Sequence, residues 1–388
     1  MLIPPSLRLS GIGEYYFSSK LAEIRKMNES GQQVISLGIG SPDLPPPAAV
    51  IEELQRVASQ PSVHGYQPYT GIPALRKAAA EFYSRHFHVR LDPSREILPV
   101  MGSKEAILQV SLAFLNPGDE VLVPDPGYPT YRSLTMMSGA LLRTYDLVEK
   151  NRWLPDLSEL ERQDLSKVRL MWVNYPHMPT GTMADEDIFR RLIRFAREHS
   201  ILLCHDNPYA FILNKMPLSV LSLPGAMDVA IELSSLSKSF NMAGWRIGFI
   251  AGQEEVLKKV LVVSSNYQSG MFYAMQMAAV KALESDASWF AELNRHYRNR
   301  SLIASSLLTT LGCTLAGEQS GLFLWARIPP DFDDDYTFSD MILDRCRVFL
   351  TPGSVFGKNG KGYIRLSLCQ PENILEEAKQ RIVDNFIQ

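Results

Sequence analysis

A lysine set among small hydroxylated residues offers the clearest sign of covalent chemistry in this chain. Lys238 follows the apolar run 228–233, with Ser235 and Ser237 directly before it and Arg246 eight residues after it. A lysine amine at the end of a strand can form a Schiff base with a carbonyl group. The two hydroxyls and the guanidinium can hold an anion beside it. A solvated lysine is the ordinary alternative, so the neighbouring residues decide the interpretation.

Polar residues also follow the other apolar runs of the chain, at the point where each run ends. They are Gly102, Ser103 and Lys104 after 97–101, Tyr128 after 121–123, and Asp206 and Tyr209 after 201–204. Ligands of open parallel sheets bind beyond the carboxyl ends of the strands, so these residues are expected to meet at one edge. There they would provide free backbone N–H groups for a phosphate, a flat aromatic face, a carboxylate and a phenol.

The elements that must position these residues alternate between strand and helix. Apolar runs at 97–101, 121–123, 169–173, 201–204 and 228–233 are predicted strands, with helices between them, as at 104–115 and 186–199. This alternation predicts an α/β fold with a mostly parallel sheet sandwiched by helices.

The two ends of the chain predict a second, smaller unit. Helical patterns at 17–27, 48–59 and 73–87 precede the strands, and a nearly unbroken helical pattern runs from 273 to 311. Segments 321–327, 348–350, 362–369 and 373–386 are typical of a small α+β unit. The predicted division is an N-terminal arm with a helix over 1–30, a large domain over 45–283, and a small domain formed by 31–44 and 284–388.

Composition excludes several classes of protein. A net charge of −3 over 388 residues gives no basic surface for nucleic acid or for a membrane. The four cysteines, Cys204, Cys313, Cys346 and Cys369, form no CxxC pair and are typical of reduced thiols in a cytoplasmic protein. The N-terminus lacks the pattern of a signal peptide, and the uncharged stretch 260–280 carries too many polar side chains for a membrane span. No metal site is expected, because neither the aspartates at 331–335 nor the histidines at 86 and 88 have the spacing of a ligand set.

The ordered motif set resembles the fold-type I, class I and II aminotransferases, which use pyridoxal 5'-phosphate. The motifs are Asp206 and Tyr209, Ser235-Leu-Ser-Lys238, Arg246, Pro179-Thr-Gly181 and Arg365-Leu-Ser. The resemblance covers essentially the whole chain and implies a mixed sheet of the seven-stranded type in the large domain. Stretches such as Leu37-Gly-Ile-Gly-Ser-Pro-Asp43 look most like the LL-diaminopimelate branch, although aspartate, alanine and aromatic aminotransferases share many of these residues.

Pyridoxal phosphate matches the requirements of this residue set. Lys238 would bond the aldehyde and then carry a proton, Asp206 would keep the pyridine nitrogen protonated, and Tyr209 would donate to the phenolic oxygen. Tyr128 would stack on the ring. The predicted phosphate-side residues are Gly102, Ser103, Lys104, Ser235, Ser237 and Arg246.

The resemblance implies further roles outside the cofactor. Arg365 is expected to bind the substrate carboxylate, because its fork of donors suits a planar carboxylate. Gly40 would approach the same carboxylate through its backbone, and Tyr15 is a candidate for the wall of the substrate pocket. Tyr66 would reach the phosphate of a neighbouring subunit, which implies a homodimer with shared active sites.

Met178 departs from the family pattern. The family usually has asparagine immediately before Pro-Thr-Gly, where it donates a hydrogen bond to the phenolic oxygen of the cofactor. A thioether cannot donate, so Tyr209 is left as the main donor. We therefore expect the cofactor-bound Lys238 to titrate at a higher pKa than in relatives with asparagine, unless Asn174 or His177 compensates.

The resulting prediction is an aminotransferase that moves an amino group from an L-amino acid to a 2-oxo acid by a ping-pong route. A C–S β-lyase or a decarboxylase on the same fold is the alternative within enzymes, since Met178 is compatible with altered chemistry. A cofactor-binding regulatory module is the alternative from another class, although no DNA-binding segment precedes the domain. The amino donor and acceptor stay open, with LL-diaminopimelate and aspartate or aromatic types as candidates.

Overall fold

The structure is a computed structural model that describes residues 3–4 and 6–386. The strands are β1 (Ile35–Ser36), β2 (Ile97–Val100), β3 (Glu120–Asp125), β4 (Leu141–Asp146), β5 (Val168–Asn174), β6 (Leu202–Asp206), β7 (Ala230–Ser235), β8 (Gly248–Gly252), β9 (Thr314–Leu315), β10 (Phe323–Arg327), β11 (Val348–Phe349), β12 (Thr351–Pro352) and β13 (Tyr363–Ser367). The helices are α1 (Tyr16–Glu29), α2 (Ala48–Ala58), α3 (Pro73–Phe87), α4 (Ser103–Phe114), α5 (Pro129–Met137), α6 (Leu157–Glu161), α7 (Glu186–Glu198), α8 (Leu236–Ser239), α9 (Glu254–Ser265), α10 (Tyr273–Leu283), α11 (Ala287–Thr310), α12 (Asp335–Cys346) and α13 (Glu372–Phe386).

A seven-stranded mixed sheet forms the centre of the larger part of the fold. Its strand order is β2-β8-β7-β6-β5-β3-β4, and β8 runs antiparallel to both of its neighbours while the other pairs are parallel. The predicted α/β fold with a mostly parallel sheet is therefore confirmed. The edge strand β4 was not predicted, because its residues are mostly half-buried or exposed and do not form an apolar run.

Helices cover both faces of this sheet and bury two apolar layers. On one face, Ile107 and Val110 of α4 and Val260 of α9 pack against the strands. On the other face, Phe189 and Leu192 of α7 belong to a larger apolar cluster that extends into the C-terminal part. Strands buried on both faces explain why the central runs of the sequence are continuously apolar.

The C-terminal part contains a four-stranded antiparallel sheet, β12-β13-β10-β9, and the two-stranded parallel pair β1-β11. The predicted long helix at 273–311 is instead two helices, α10 and α11. Asp286 caps the start of α11, where its carboxylate accepts a hydrogen bond from the Ser288 backbone at 2.8 Å. The carboxylate satisfies a backbone N–H group that has no partner within the first turn, so a new helix can begin here. The domain boundaries remain a prediction.

The ends of the chain lie partly outside the described residues. Residues 1, 2 and 5 of the predicted arm, and 387–388 at the other end, lie outside the described residues. Across the described ranges, no helix combines the length and apolar character that crossing a bilayer requires. All four cysteines are buried and free.

Candidate active site

A cavity of about 550 Å³ lies at the carboxyl ends of the central strands, between the large sheet and the C-terminal part. Its lining residues are Tyr15, Phe17, Ser18, Leu21, Ile39, Gly40, Ser103, Lys104, Tyr128, Pro129, Tyr131, Asn174, Met178, Asp206, Pro208, Tyr209, Ser235, Ser237, Lys238, Ala243, Arg246, Phe323, Phe356 and Arg365. All predicted site residues are in this set except two. Gly102 contacts Arg246 just outside it, and Tyr66 is 92% exposed away from it.

Lys238 reaches the cavity from the short helix α8, which begins directly after β7. The Ser235 hydroxyl at the start of this helix accepts a hydrogen bond from the Ser237 backbone at 3.2 Å. The Lys238 ammonium donates to the Gly40 carbonyl. Burial lowers the pKa of Lys238, and the charges of Arg365 and Arg246 lower it further. A lowered pKa increases the share of free amine, which is the nucleophilic form.

Asp206 ends strand β6 and presents a buried carboxylate with one unused oxygen. Its Oδ2 accepts a hydrogen bond from the Tyr131 hydroxyl at 2.7 Å, whereas Oδ1 has no hydrogen-bond partner among the described residues. Burial raises the pKa of Asp206 to about 6. A buried acceptor without a partner is costly, so it suits a donor from a bound molecule. The protonated pyridine nitrogen of pyridoxal phosphate is such a donor.

The start of α4 and Arg246, two residues before β8, form the anion-binding part of the cavity. Because β2 and β8 are antiparallel, with Val100 opposite Gly248, Gly102 two residues after β2 lies beside Arg246. Gly102 has a φ of +93°, and a Cβ there would lie 2.2 Å from the Arg246 Nη2 atom. The guanidinium Nη1 also lies 3.4 Å from the Ser237 hydroxyl. Free N–H groups of a helix start together with a guanidinium fit a phosphate.

Arg365 extends from β13 into the opposite side of the cavity. Its Nη2 donates to the Gly38 carbonyl at 2.7 Å, and its Nη1 lies 3.1 Å from the Met178 sulfur. The guanidinium lies 3.9 Å from the centre of the Phe323 ring and 4.5 Å from that of Phe356. Burial lowers its pKa to about 10, so the group stays charged at neutral pH. Its Nε has no partner in the described part of the chain.

Asn174 and His177 lie near Met178 in the chain and are the two candidates to supply the hydrogen-bond donor that asparagine provides in the family. The Asn174 side chain accepts from the Met178 backbone at 2.7 Å and donates to the Asp206 carbonyl at 2.6 Å. His177 is buried and hydrogen-bonded to Thr180 at 2.8 Å, and burial lowers its pKa to about 3. The Asn174 side chain is therefore engaged with the protein itself. His177 does not line the cavity, although its Nε2 has no partner among the described residues, so neither side chain compensates for Met178 in this geometry.

The tyrosines of the cavity are held as neutral phenols. Burial raises the pKa of Tyr209, Tyr128 and Tyr15, so each keeps its proton and can donate. The ammonium of Lys104 lies 4.5 Å above the Tyr15 ring. Gly40 packs so closely under Phe323 that a Cβ would lie 2.2 Å from that ring.

Four aromatic lining residues were missed in the sequence. Tyr131 lies one helical turn beyond Tyr128, a spacing that could have placed both rings on one side of α5. Phe17, Phe323 and Phe356 come from three segments far apart in the chain, and no local pattern indicates that they meet at Arg365. Their role depends on tertiary packing alone.

Comparisons with known proteins agree with this geometry. The family described as "Aminotransferase class I and II" matches residues 32–382. An LL-diaminopimelate aminotransferase of Gloeobacter violaceus is 39% identical over 382 residues, which cover 97% of this chain and 96% of the relative.

Several solved structures also have similar folds. A substrate-bound BacF structure from Bacillus subtilis has a TM-score of 0.92 at 37% identity, and the match covers 99% of this chain and 98% of the BacF chain. A probable N-succinyldiaminopimelate aminotransferase from Thermus thermophilus has a TM-score of 0.88 at 34% identity, with coverage of 95% and 99%. The chain therefore belongs to the class I and II aminotransferases and is a pyridoxal-phosphate-dependent transaminase.

Proposed function

We propose that Lys238 carries the cofactor and that this site transfers an amino group from an L-amino acid to a 2-oxo acid by a ping-pong route. One observation carries the proposal. A buried amine of lowered pKa and a buried carboxylate with an unused oxygen, Asp206, line the same cavity. Outside a cofactor site, such a pair of incompletely partnered groups would only reduce stability.

Bound pyridoxal phosphate supplies an aldehyde that condenses with amines and a ring that accepts electrons. Asp206 Oδ1 would accept from the pyridine nitrogen, and the Tyr131 hydroxyl, which donates to Oδ2, would keep the carboxylate in this orientation. Tyr209 would donate to the phenolic oxygen, and Tyr128 would stack on the ring. The residues that would hold the phosphate are Gly102, Ser103, Lys104, Ser235, Ser237 and Arg246.

The substrate carboxylate binds Arg365. Among the described residues, the one hydrogen-bond contact of Arg365 Nη1 is the Met178 sulfur, which is a weak acceptor. A carboxylate is a far better acceptor and replaces that contact with a charge-assisted pair. Gly40 lets the backbone approach the same carboxylate, and Tyr15 closes the wall. Lys238 Nζ would be the group that takes up and holds the proton from the substrate Cα.

The protein acts as a homodimer in the cytoplasm, with a large cofactor domain and a smaller domain. The exposure of Tyr66, at 92%, leaves its ring free to reach the phosphate of a second subunit. The four buried free thiols are compatible with a reducing compartment.

Amino transfer is favoured over a β-lyase, a decarboxylase and a regulatory module, because relatives matched over nearly the whole chain are named as aminotransferases. Those names include LL-diaminopimelate, which makes it one candidate donor for this chain.

Absorbance of the cofactor-loaded protein tests the proposal. An amino donor should bleach the cofactor colour, release a 2-oxo acid, and restore the colour when 2-oxoglutarate or another acceptor is added. Lys238→Ala should abolish this cycle. Pyruvate with ammonia in the absence of any acceptor would instead indicate a lyase, and cofactor binding without turnover would indicate a regulatory module.

A further inference from the structure

We propose that Asp125 is a positioning residue for the binding of substrate carboxylates. Its carboxylate holds the loop 353–362 of the C-terminal part against the end of strand β3, and this loop places Phe356 beside the Arg365 guanidinium. The inference rests on the proposed function, because it concerns the carboxylate that Arg365 binds there. Asp125 itself is buried and does not line the cavity around Arg365.

Two backbone N–H groups of this loop donate to the Asp125 carboxylate. The Lys358 nitrogen lies 3.2 Å from Oδ2, and the Asn359 nitrogen lies 2.9 Å from Oδ1. The Asn359 side chain also donates to the Asp125 carbonyl at 3.1 Å and to Asp146 Oδ1 at 2.9 Å. Gly357 has a φ of +142°, and a Cβ there would overlap the Asp125 carboxylate. Because hydrogen bonds to a charged acceptor are stronger than neutral ones, this contact fixes the loop on the sheet.

A second carboxylate, that of Asp335 at the start of α12, holds the loop within the C-terminal part. Its Oδ2 accepts from the Ser354 backbone at 2.7 Å, and its Oδ1 accepts from the Ser354 hydroxyl at 2.8 Å. The Gly362 nitrogen lies 3.3 Å from the same Oδ1. Asp335 therefore maintains the shape of the loop, whereas Asp125 sets its position on the seven-stranded sheet. Loss of the Asp125 carboxylate should release the loop from the sheet without unfolding it.

The position of the loop acts on Arg365 through Phe356. The Phe356 carbonyl accepts from the Gly127 backbone at 2.9 Å, and the Phe356 ring lies 4.5 Å from the Arg365 guanidinium. This ring helps to fix the orientation of the guanidinium, and a bidentate pair with a carboxylate requires a defined orientation. When the loop moves, Phe356 leaves the guanidinium, and Arg365 binds substrate carboxylates less tightly.

Steady-state kinetics of Asp125→Ala test this role. Every amino donor and every 2-oxo acid presents a carboxylate to Arg365, so KM should rise by a common factor of about tenfold for all of them. The kcat should change by no more than about threefold, because the ground state and the transition state lose the same interaction. Donors and acceptors with different side chains, measured where the wild type turns them over, show whether the factor is common.

Asp119→Ala is the matched control. Asp119 directly precedes β3 at its other end, where its carboxylate accepts from the Asn116 backbone at 2.7 Å. This variant should lose stability and keep its KM. An unchanged KM in Asp125→Ala, a rise for one substrate alone, or equal rises in both variants would overturn the inference, while amino transfer would stand. A wild type that turns over no donor would overturn the proposed function and this inference with it.

Limited trypsin digestion of the cofactor-loaded protein detects loop release without any turnover. Trypsin cuts after lysine, and Lys358 and Lys361 are exposed residues of the loop. A loop that Asp125 no longer holds opens more often, so cleavage after these lysines should be about tenfold faster in Asp125→Ala than in the wild type. Asp119→Ala should be cut there at the wild-type rate. Equal cleavage rates in all three proteins would rule out the proposed role of Asp125.

Asn359→Ala weakens the same contact from the side of the loop, and it serves as the test if Asp125→Ala does not fold. Asn359 is half-buried, and the variant loses the side-chain hydrogen bonds to the Asp125 carbonyl and to Asp146 but keeps the backbone donors. KM for donors and acceptors should rise together by about threefold, the scale of one or two weakened hydrogen bonds. A KM equal to that of the wild type would contradict the inference.

Discussion

Two buried carboxylates on neighbouring strands, Glu232 of β7 and Asp206 of β6, differ in how many hydrogen-bond partners they have. His205 points away from the cavity and lies 2.8 Å from Glu232 on β7. Glu232 also accepts from the Tyr83 hydroxyl at 2.8 Å and from the Ser219 hydroxyl at 2.9 Å. Asp206, one residue on and on the opposite face, has one hydrogen bond and a bare oxygen within the described residues. Successive residues of a strand face opposite sides, so one strand presents both environments.

One of these carboxylates stabilises the fold, and the other is available to bind a ligand. Glu232 has all its partners inside the protein, so its network stabilises the fold without a ligand. Asp206 has no partner for Oδ1 among the described residues, and its burial reduces the stability of the cofactor-free protein. A polar group that violates the usual pairing marks a site where a ligand completes it.

Asp206→Asn should produce the largest loss of activity. An amide cannot keep the pyridine nitrogen protonated through a charge, so kcat should fall by about 100-fold or more, the usual scale for losing proton control at a catalytic group. The melting temperature of the cofactor-free variant should not fall, because the variant no longer buries a carboxylate with an unpartnered oxygen. Steady-state kinetics and thermal unfolding measure the two effects. Asp187→Asn, at an exposed position on α7, is the control, and a variant at 206 with near-normal kcat would contradict the assignment.

Glu232→Gln should show the opposite profile. Replacing the carboxylate with an amide removes an acceptor from the buried network of Tyr83, Ser219 and His205, and should lower the free energy of unfolding by about 2 kcal/mol. Activity per folded molecule should change by no more than about threefold, since Glu232 does not line the cavity. Denaturant unfolding gives the first quantity and turnover at low temperature the second. A variant that is fully stable but inactive would reverse the contrast between the two carboxylates.

The stability of the cofactor-free protein should depend on pH through the carboxyl group of Asp206. Burial raises the pKa of its carboxyl from 3.8 to about 6 in the folded protein. The folded state therefore binds the proton more tightly, so the cost of this group is fully present above about pH 6 and disappears as the pH falls below about 4. A difference of about two pKa units corresponds to roughly 3 kcal/mol.

This cost should be visible as a difference between two cofactor-free proteins. Asp206→Asn should be more stable than wild type at about pH 7.5, and its advantage should shrink by about 1 kcal/mol or more by about pH 5. Denaturant unfolding at both pH values measures it. An advantage that does not change with pH would show that the carboxyl titrates normally.

Met178→Asn should produce the smallest change. The new amide can donate to the phenolic oxygen, so the cofactor-bound Lys238 should titrate at a pKa lower by about one unit or less. A spectroscopic titration of the cofactor measures the midpoint, and Met178→Leu is the control that adds no donor. Identical midpoints for all three proteins would mean that the thioether has no effect on this oxygen.

The same comparison explains what the sequence could predict. Strands such as β5 and β6 are predictable because burial on both faces makes them continuously apolar, and the polar residues at their ends follow directly in the chain. Lys238, Asp206 and Arg246 could therefore be assigned to one edge of the sheet. The half-exposed strand β4 has no such run, and the break at Asp286 between α10 and α11 depends on one capping side chain.

The unpredicted parts of the site depend on contacts between distant segments. The rings of Phe17, Phe323 and Phe356 surround the Arg365 guanidinium, and nothing in their local sequence indicates this. The sequence indicated Asp206 by its place at the end of a predicted strand, but it did not show how either carboxylate is partnered. Tyr83 donates to Glu232 from a distant segment, and Asp206 Oδ1 has no partner among the described residues.

The central claim is that the open groups of this cavity hold pyridoxal phosphate through Lys238. Borohydride reduction of the cofactor-loaded protein fixes the cofactor to the lysine that holds it, and peptide mapping by mass spectrometry then locates that lysine. The modification is predicted on the peptide that contains Lys238. Modification of Lys104, the other lysine that lines the cavity in the described part of the chain, or of no lysine at all, would contradict the account.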